Sequence, residues 1–291
     1  MNKEMFLKEL NSRGISCNEQ QLELLWDFMR HVLKTNESFN LTAIKDEESF
    51  VEKMLFDSAL LLNNQNFEDL DILDIGAGAG FPSVVLAILS PKAHVFALDS
   101  TAKKVKFIED YAKENSLDVT GITARAEEFA KDNRERFMVV TARAVASLRI
   151  LVELAVPLLK VGGVFIAMKG PGFEQEIEEA KGALKKLNAE IDYIYEDQLP
   201  ESKESRYMIY IKKNKETPTD LIDDMYGTED TYNVMLNLLE PLLTNKETIV
   251  TYYRAVFSYS WSEIVELTGI KESTARAIYA SAKEKLRREL R

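Results

Sequence analysis

One cysteine and two histidines among 291 residues exclude several kinds of chemistry at once. A lone thiol, Cys17, forms no internal disulfide framework and suits a reducing compartment. His31, His94 and that thiol do not make a zinc set or a histidine-centred hydrolase, so no metal is expected. No apolar run approaches the ~20 residues that span a bilayer. The opening Met1-Asn2-Lys3-Glu4-Met5-Phe6 carries no signal-peptide pattern, so a cytoplasmic protein without a membrane partner is expected. Positive charge is also short, 37 Lys and Arg against 48 Asp and Glu, a net −11 that argues against indiscriminate coating of nucleic acid. The shortfall is uneven. Residues 245–291 hold nine basic and six acidic side chains, and residues 1–230 about −13.

Periodicity divides the remaining chain. Residues 1–62 read as helical: Leu22, Leu25, Trp26, Met29 and Val32 recur at three-to-four spacing, and a second amphipathic run covers Ser49–Leu62. From Asp71 the pattern alternates. Strands are predicted at 71–75, 94–99, 119–123, 137–142 and 164–169, with helices at about 82–90, 101–115, 147–160 and 174–187. Such alternation implies a parallel, doubly wound α/β sheet. A closing antiparallel pair is expected from Ala189–Tyr195 and Arg206–Lys212, making seven strands. Domain limits are therefore set at 1–212, a polar linker at 213–230, and a small helical domain at 231–291.

The chemistry concentrates in Asp71-Ile72-Leu73-Asp74-Ile75-Gly76-Ala77-Gly78-Ala79-Gly80-Phe81-Pro82. A strand that turns sharply into a helix needs glycine where a Cβ would obstruct the turn or the ligand. A second acid, Asp99, stands 19 residues after Gly80, at the end of the next predicted strand. Dinucleotide sites favour G-x-G-x-x-G over a pyrophosphate. The pattern here, D-I-G-A-G-A-G, instead resembles motif I of class I S-adenosylmethionine-dependent methyltransferases, whose fold is Rossmann-like. In those enzymes the acid at the second strand end accepts both ribose hydroxyls.

Further stretches resemble one family of that class. They are Asn40-Leu41-Thr42-Ala43-Ile44, Phe56-Asp57-Ser58, Leu98-Asp99-Ser100, Lys103-Lys104-Val105-Lys106-Phe107, Ala124-Arg125-Ala126-Glu127-Glu128, Thr141 to Leu148 and Met168-Lys169-Gly170. Together, and in this order over roughly residues 1–212, they resemble the RsmG family, formerly glucose-inhibited division protein B. The resemblance implies methylation of N7 of a guanine in the decoding-region loop of 16S ribosomal RNA, with that RNA or the small subunit as partner. It also implies cofactor contacts at Gly76, Phe81, Ala126, Glu127 and Arg143. With the motif residues, the candidate S-adenosylmethionine site comprises Asp74, Gly76, Gly78, Gly80, Phe81, Asp99, Ser100, Ala126, Glu127 and Arg143. Asn40, Arg143 and Lys169 are the catalytic candidates, and Asp57, Ser58 and Arg125 are further candidates for holding guanine or phosphate. Plainer roles stay open: Glu127 as a helix N-terminal acid, Asp57 and Ser58 as helix buttresses, and Lys103, Lys104 and Lys106 as a solvated face where an RNA phosphate contact is the alternative. The chain departs from the family pattern at Met54, where a histidine is usual, and at Ser83, where glycine is usual. It also lacks the family's basic, proline-rich end after Thr217-Pro218.

Beyond the linker, helices are expected at Tyr232–Leu243, Lys246–Tyr253, Ser262–Thr268 and Glu272–Leu290. Trp261 to Ala275 is similar to helix-turn-helix modules of the sigma-factor region 4 and YlxM type, with Gly269 in the turn and Ile270 as its apolar pin. That similarity implies a second nucleic-acid contact through 231–291. It leaves open an alternative, a DNA-binding regulator whose methyltransferase-like body senses the cofactor.

Overall fold

The structure is a computed structural model and describes residues 1–63, 65–143, 146–218, 243–251, 253–254 and 261–289. The chain opens with α1 (Lys3–Ser12) and α2 (Glu19–Asn36). A reciprocal cap starts α2: Asn18 accepts from the Gln21 amide and Gln21 accepts from the Asn18 amide, each at 2.9 Å. The apolar stripe anticipated in this helix is its buried face, made by Leu22, Leu25, Phe28, Met29 and Val32. The second amphipathic run is not one uniform helix. It passes from α3 (Glu47–Phe50) through a π-turn at Val51–Phe56 into α4 (Asp57–Ala59) and a 3-10 turn at Leu60–Leu62. A π-turn inserts a residue into the helical ladder and rotates the side chains beyond it. Here it precedes the buried Asp57 and Ser58.

Seven strands then form one sheet: β1 (Asp71–Ile75), β2 (His94–Asp99), β3 (Val119–Thr123), β4 (Phe137–Arg143), β5 (Leu159–Lys169), β6 (Ala189–Gln198) and β7 (Ser205–Lys213). Their order is β3-β2-β1-β4-β5-β7-β6. The first five are parallel, and β7 runs antiparallel to both β5 and β6. Between them lie α5 (Ser83–Leu89), α6 (Ala102–Glu114), α7 (Ala126–Asp132), α8 (Leu148–Ala155) and α9 (Phe173–Lys186). The α1–α6 side of the sheet packs one apolar core and the α7–α9 side a second. This is the class I methyltransferase fold. The strand order reverses between β1 and β4, and open α/β sheets bind ligands outside the carboxyl ends of the strands at such a point.

Two expectations change. The helix predicted over 147–160 stops at Ala155, because Pro157 has no amide to donate and a 3-10 turn takes over at Val156–Leu158. The fifth strand accordingly begins at Leu159 rather than 164, and its register against β4 shifts between Phe137 and Val139. The short helix α7 had no counterpart in the periodicity. Its single buried residue, Ala130, leaves no apolar stripe to read.

Of the linker, Lys213 ends β7 and residues 219–230 lie outside the described residues, as does the helix expected at Tyr232–Leu243 apart from Leu243. Three helices complete the described chain: α10 (Asn245–Thr251), α11 (Trp261–Thr268) and α12 (Glu272–Glu289). Gly269, at φ +67°, makes the turn between α11 and α12. Val250, Ile264 and Ala275 form a separate small core, against which Ile270 packs.

Candidate active site at the carboxyl edge of the sheet

The glycine turn leaves β1 as a backbone arch. The amides of Gly76 and Ala77 donate to the Leu98 carbonyl at 2.8 and 3.0 Å, pulling the turn against the end of β2. Gly76 and Gly78 hold φ of +73° and +57°, a region that side chains with a Cβ enter only at a cost. Asp99, at the tip of β2, locks the arch. One of its oxygens accepts from the Gly78 amide at 3.0 Å and the other from the Thr101 amide at 2.8 Å. A carboxylate has about four lone-pair sites, so each oxygen keeps one acceptor position. A cleft of about 440 Å³ opens there. That falls within the ~300–1,000 Å³ usual for small-molecule sites.

The candidates divide according to this cleft. Gly76, Gly78, Phe81, Asp99, Ser100, Arg125, Ala126, Glu127 and Arg143 line it. Asp74 and Gly80 do not. Asp74 is fully buried beneath the turn, accepting from the Ser83 hydroxyl at 2.8 Å, the Ser83 amide at 3.1 Å and the Thr141 hydroxyl at 3.3 Å. Burial pushes its carboxyl up to about 7, against the opposing hydrogen bonds from Ser83. Gly80 is a packing glycine: a Cβ there would stand 2.7 Å from Val84 Cγ2 and 2.9 Å from Phe28 Cζ.

The three catalytic candidates part company. Arg143 reaches the cleft and is braced from behind: it donates to the Lys53 carbonyl at 3.0 Å and to Met54 Sδ at 3.3 Å, lies 3.5 Å from Asp57, and sits over the Phe81 ring. Asp57, shared between Arg143 and Arg206, stands behind this wall and does not line the cleft. Ser58 is buried with it. Lys169 is nearly buried; its ammonium donates to the Ala146 carbonyl at 2.7 Å and pairs with Glu176 at 2.6 Å. Glu176 in turn accepts from the Leu148 amide. Lys169 thus tethers the loop after β4, whose Ala146 lines the cleft. Asn40 is exposed and outside the lining, whereas its neighbour Leu41 is part of it.

One contributor escaped the sequence reading, and two residues named in it take a place at the cleft. Asn36 clamps the loop carrying Leu41, accepting from the Leu41 and Thr42 amides at 2.7 and 3.0 Å and donating to the Thr42 carbonyl. Met54 is part of the cleft wall. Lys104 lines the cleft, while Lys103 lies over the Phe39 ring and Lys106 pairs with Asp110. Asn36 ends a helix and could have been suspected as a local cap.

Fold and cleft together define a class I methyltransferase. A family model described as rRNA small subunit methyltransferase G (GidB) matches residues 21–203. Curated relatives named Ribosomal RNA small subunit methyltransferase G include one from Bacillus cytotoxicus, 41% identical over 222 residues, covering 75% of this chain and 93% of the relative. Another, from Lactobacillus johnsonii, is 38% identical over 226 residues, covering 75% and 94%. The chain belongs to the rRNA small subunit methyltransferase G family. Among solved structures, TYW2 from M. jannaschii in complex with AdoMet shares 16% identity and a TM-score of 0.47 over 59% of this chain and 79% of that one.

Proposed function

We propose that this protein transfers a methyl group from S-adenosylmethionine to N7 of a guanine in the decoding-region loop of 16S ribosomal RNA, acting in the cytoplasm on the RNA or the small subunit. Asp99 carries the reading. Its two oxygens are each anchored by one backbone amide, which leaves two acceptor positions side by side for the two hydroxyls of a ribose. The glycine arch beside it offers backbone without Cβ to the rest of the cofactor, and Gly78 has only the Gly76 carbonyl within 4 Å of its missing Cβ.

When bound, S-adenosylmethionine supplies an electrophilic methyl group on a sulfonium. Guanine N7 has an in-plane lone pair and attacks without losing a proton, so the site needs alignment rather than a general base. The acids lining the cleft fit that requirement. Asp99 is committed to the Gly78 and Thr101 amides, and Glu127 is paired with Arg125 at 3.2 Å. Arg143, locked against Met54 and Asp57, forms a rigid cationic wall where a base or phosphate can be held. Lys104 and Arg125 add positive charge at the rim for an RNA backbone. Lys169 and Asn36 keep the two flanking loops in place and exclude water by doing so.

Family membership does not favour a DNA-binding regulator. Mapping N7-methylguanosine in 16S RNA from cells with and without this chain tests the assignment: the mark disappears when the chain is absent. Persistence at full level rejects it.

A further inference from the structure

The family model ends at residue 203, and three quarters of this chain already covers 93% of a curated relative. The helices α10–α12 are therefore an addition, and they touch the body beside the cleft. Arg125, at the cleft mouth, donates to the Tyr253 hydroxyl at 3.2 Å, and Arg149 of α8 lies 3.7 Å from Glu263 of α11. From Tyr253 the chain passes to Arg254, whose guanidinium lies 5.0 Å from the centre of the Trp261 ring. Arg276 of α12, also paired with Glu272 at 2.7 Å, approaches the same ring at 4.9 Å. Lys283 comes seven residues after Arg276, on the same exposed side of α12.

We infer that this line of side chains, Arg125, Tyr253, Arg254, Trp261, Arg276 and Lys283, is a track for the phosphate backbone of the substrate RNA, leading outward from the cleft mouth. The inference rests on the activity proposed above and extends its substrate surface. Two physical features support it. A guanidinium stacked on an aromatic face presents its N–H edge for bidentate pairing with phosphate. Aromatic rings interleaved with cations match a backbone whose bases can unstack. The local net charge also runs opposite to the rest of the chain: +3 over residues 245–291 within a protein of −11.

The test uses the full chain with Arg276→Gln and Lys283→Gln together, assayed for methyl transfer to unmethylated small subunits. KM for the subunit is expected to rise about tenfold with kcat retained, and calorimetric affinity for S-adenosylmethionine to stay within about twofold. The slope of log affinity for 16S RNA against log salt is expected to flatten by about 1.4–1.8, the release of two phosphate contacts. The pair Arg276→Lys and Lys283→Arg keeps the charge but loses the guanidinium fork over Trp261, so its KM is expected between wild type and the glutamine pair. An unchanged KM and salt slope in the glutamine pair overturns the track. So does a KM in the charge-conserving pair as high as in the glutamine pair, which marks packing on Trp261 instead. Tighter binding to a duplex DNA than to the RNA, lost in the glutamine pair, also overturns it. If wild type binds cofactor yet labels no RNA, the proposed activity fails and takes the track with it. If wild type labels RNA and the glutamine pair behaves identically, only the track fails.

Discussion

Asp74 and Asp99 end neighbouring parallel strands, both belong to the same sequence signature, and they do opposite things. Asp74 pairs in register with Ala97, so it projects to the same face of the sheet as Asp99 but two residues further back. That single pleat places Asp74 beneath the glycine arch, closed in by Ser83 and Thr141, and Asp99 in front of it. One carboxylate holds the arch to the first turn of α5, and the other faces the ligand space. A strand-end acid is thus defined by its depth relative to the turn, which its residue type does not reveal.

The contrast can be broken most forcefully at Asp99. Asp99→Ala removes the acceptors proposed for the ribose, and charged hydrogen bonds contribute about 1.5–3 kcal/mol each. Affinity for S-adenosylmethionine by calorimetry should fall at least ~100-fold, about 3 kcal/mol, with a lowered melting temperature from the two amides of the arch left without an acceptor. Affinity within a few-fold of wild type would contradict the division of roles.

At Asp74 the expected readout is stability as a function of pH. Its folded carboxyl is raised to about 7, above the ~3.9 of an unfolded aspartate. Between those values the folded state holds a proton that the unfolded state has released, so the slope of unfolding free energy with pH is negative. The contribution of Asp74 is therefore fully present below about pH 4 and declines until about pH 7. Urea unfolding should show wild type losing a few kcal/mol relative to Asp74→Asn across that interval. Parallel curves for the two proteins would show that the carboxyl is ionised throughout.

The glycines sharpen the same contrast. Gly80→Ala forces a Cβ against Val84 and Phe28 at φ +95° and should cost about 2–3 kcal/mol of stability without a specific effect on cofactor affinity. Gly78→Ala, at φ +57° with open space around the missing Cβ, should cost only about 1–2 kcal/mol of stability and act mainly on cofactor binding. The smallest change is expected from Ser83→Gly, which removes one hydroxyl donor from Asp74. About 1 kcal/mol of stability should be lost in a denaturant titration.

Much of this architecture was legible in the residues. The strand–helix alternation from Asp71 to Lys186 reflects apolar runs broken by Gly, Pro and polar turns. The cleft position came from a glycine turn and an acid at the next strand end. What escaped was long-range. Lys169 resembled a catalytic cation, yet it holds Ala146 and Glu176, partners that sequence distance conceals. Leu41, held by Asn36, and Met54 reach the cleft only because α2 and the π-turn fold over the carboxyl edge of the sheet. The contact between Arg125 and Tyr253 joins residues 128 positions apart.

Local order alone therefore accounts for the strands, the glycine arch and the presence of a nucleoside-sized ligand site, because each depends on backbone freedom and apolar period within a few residues. Which side chains face that site, which ones brace it, and what stands at its mouth were decided by packing. Burial and partner geometry arise only when distant segments meet, and they turned one aspartate inward while leaving its neighbour at the rim.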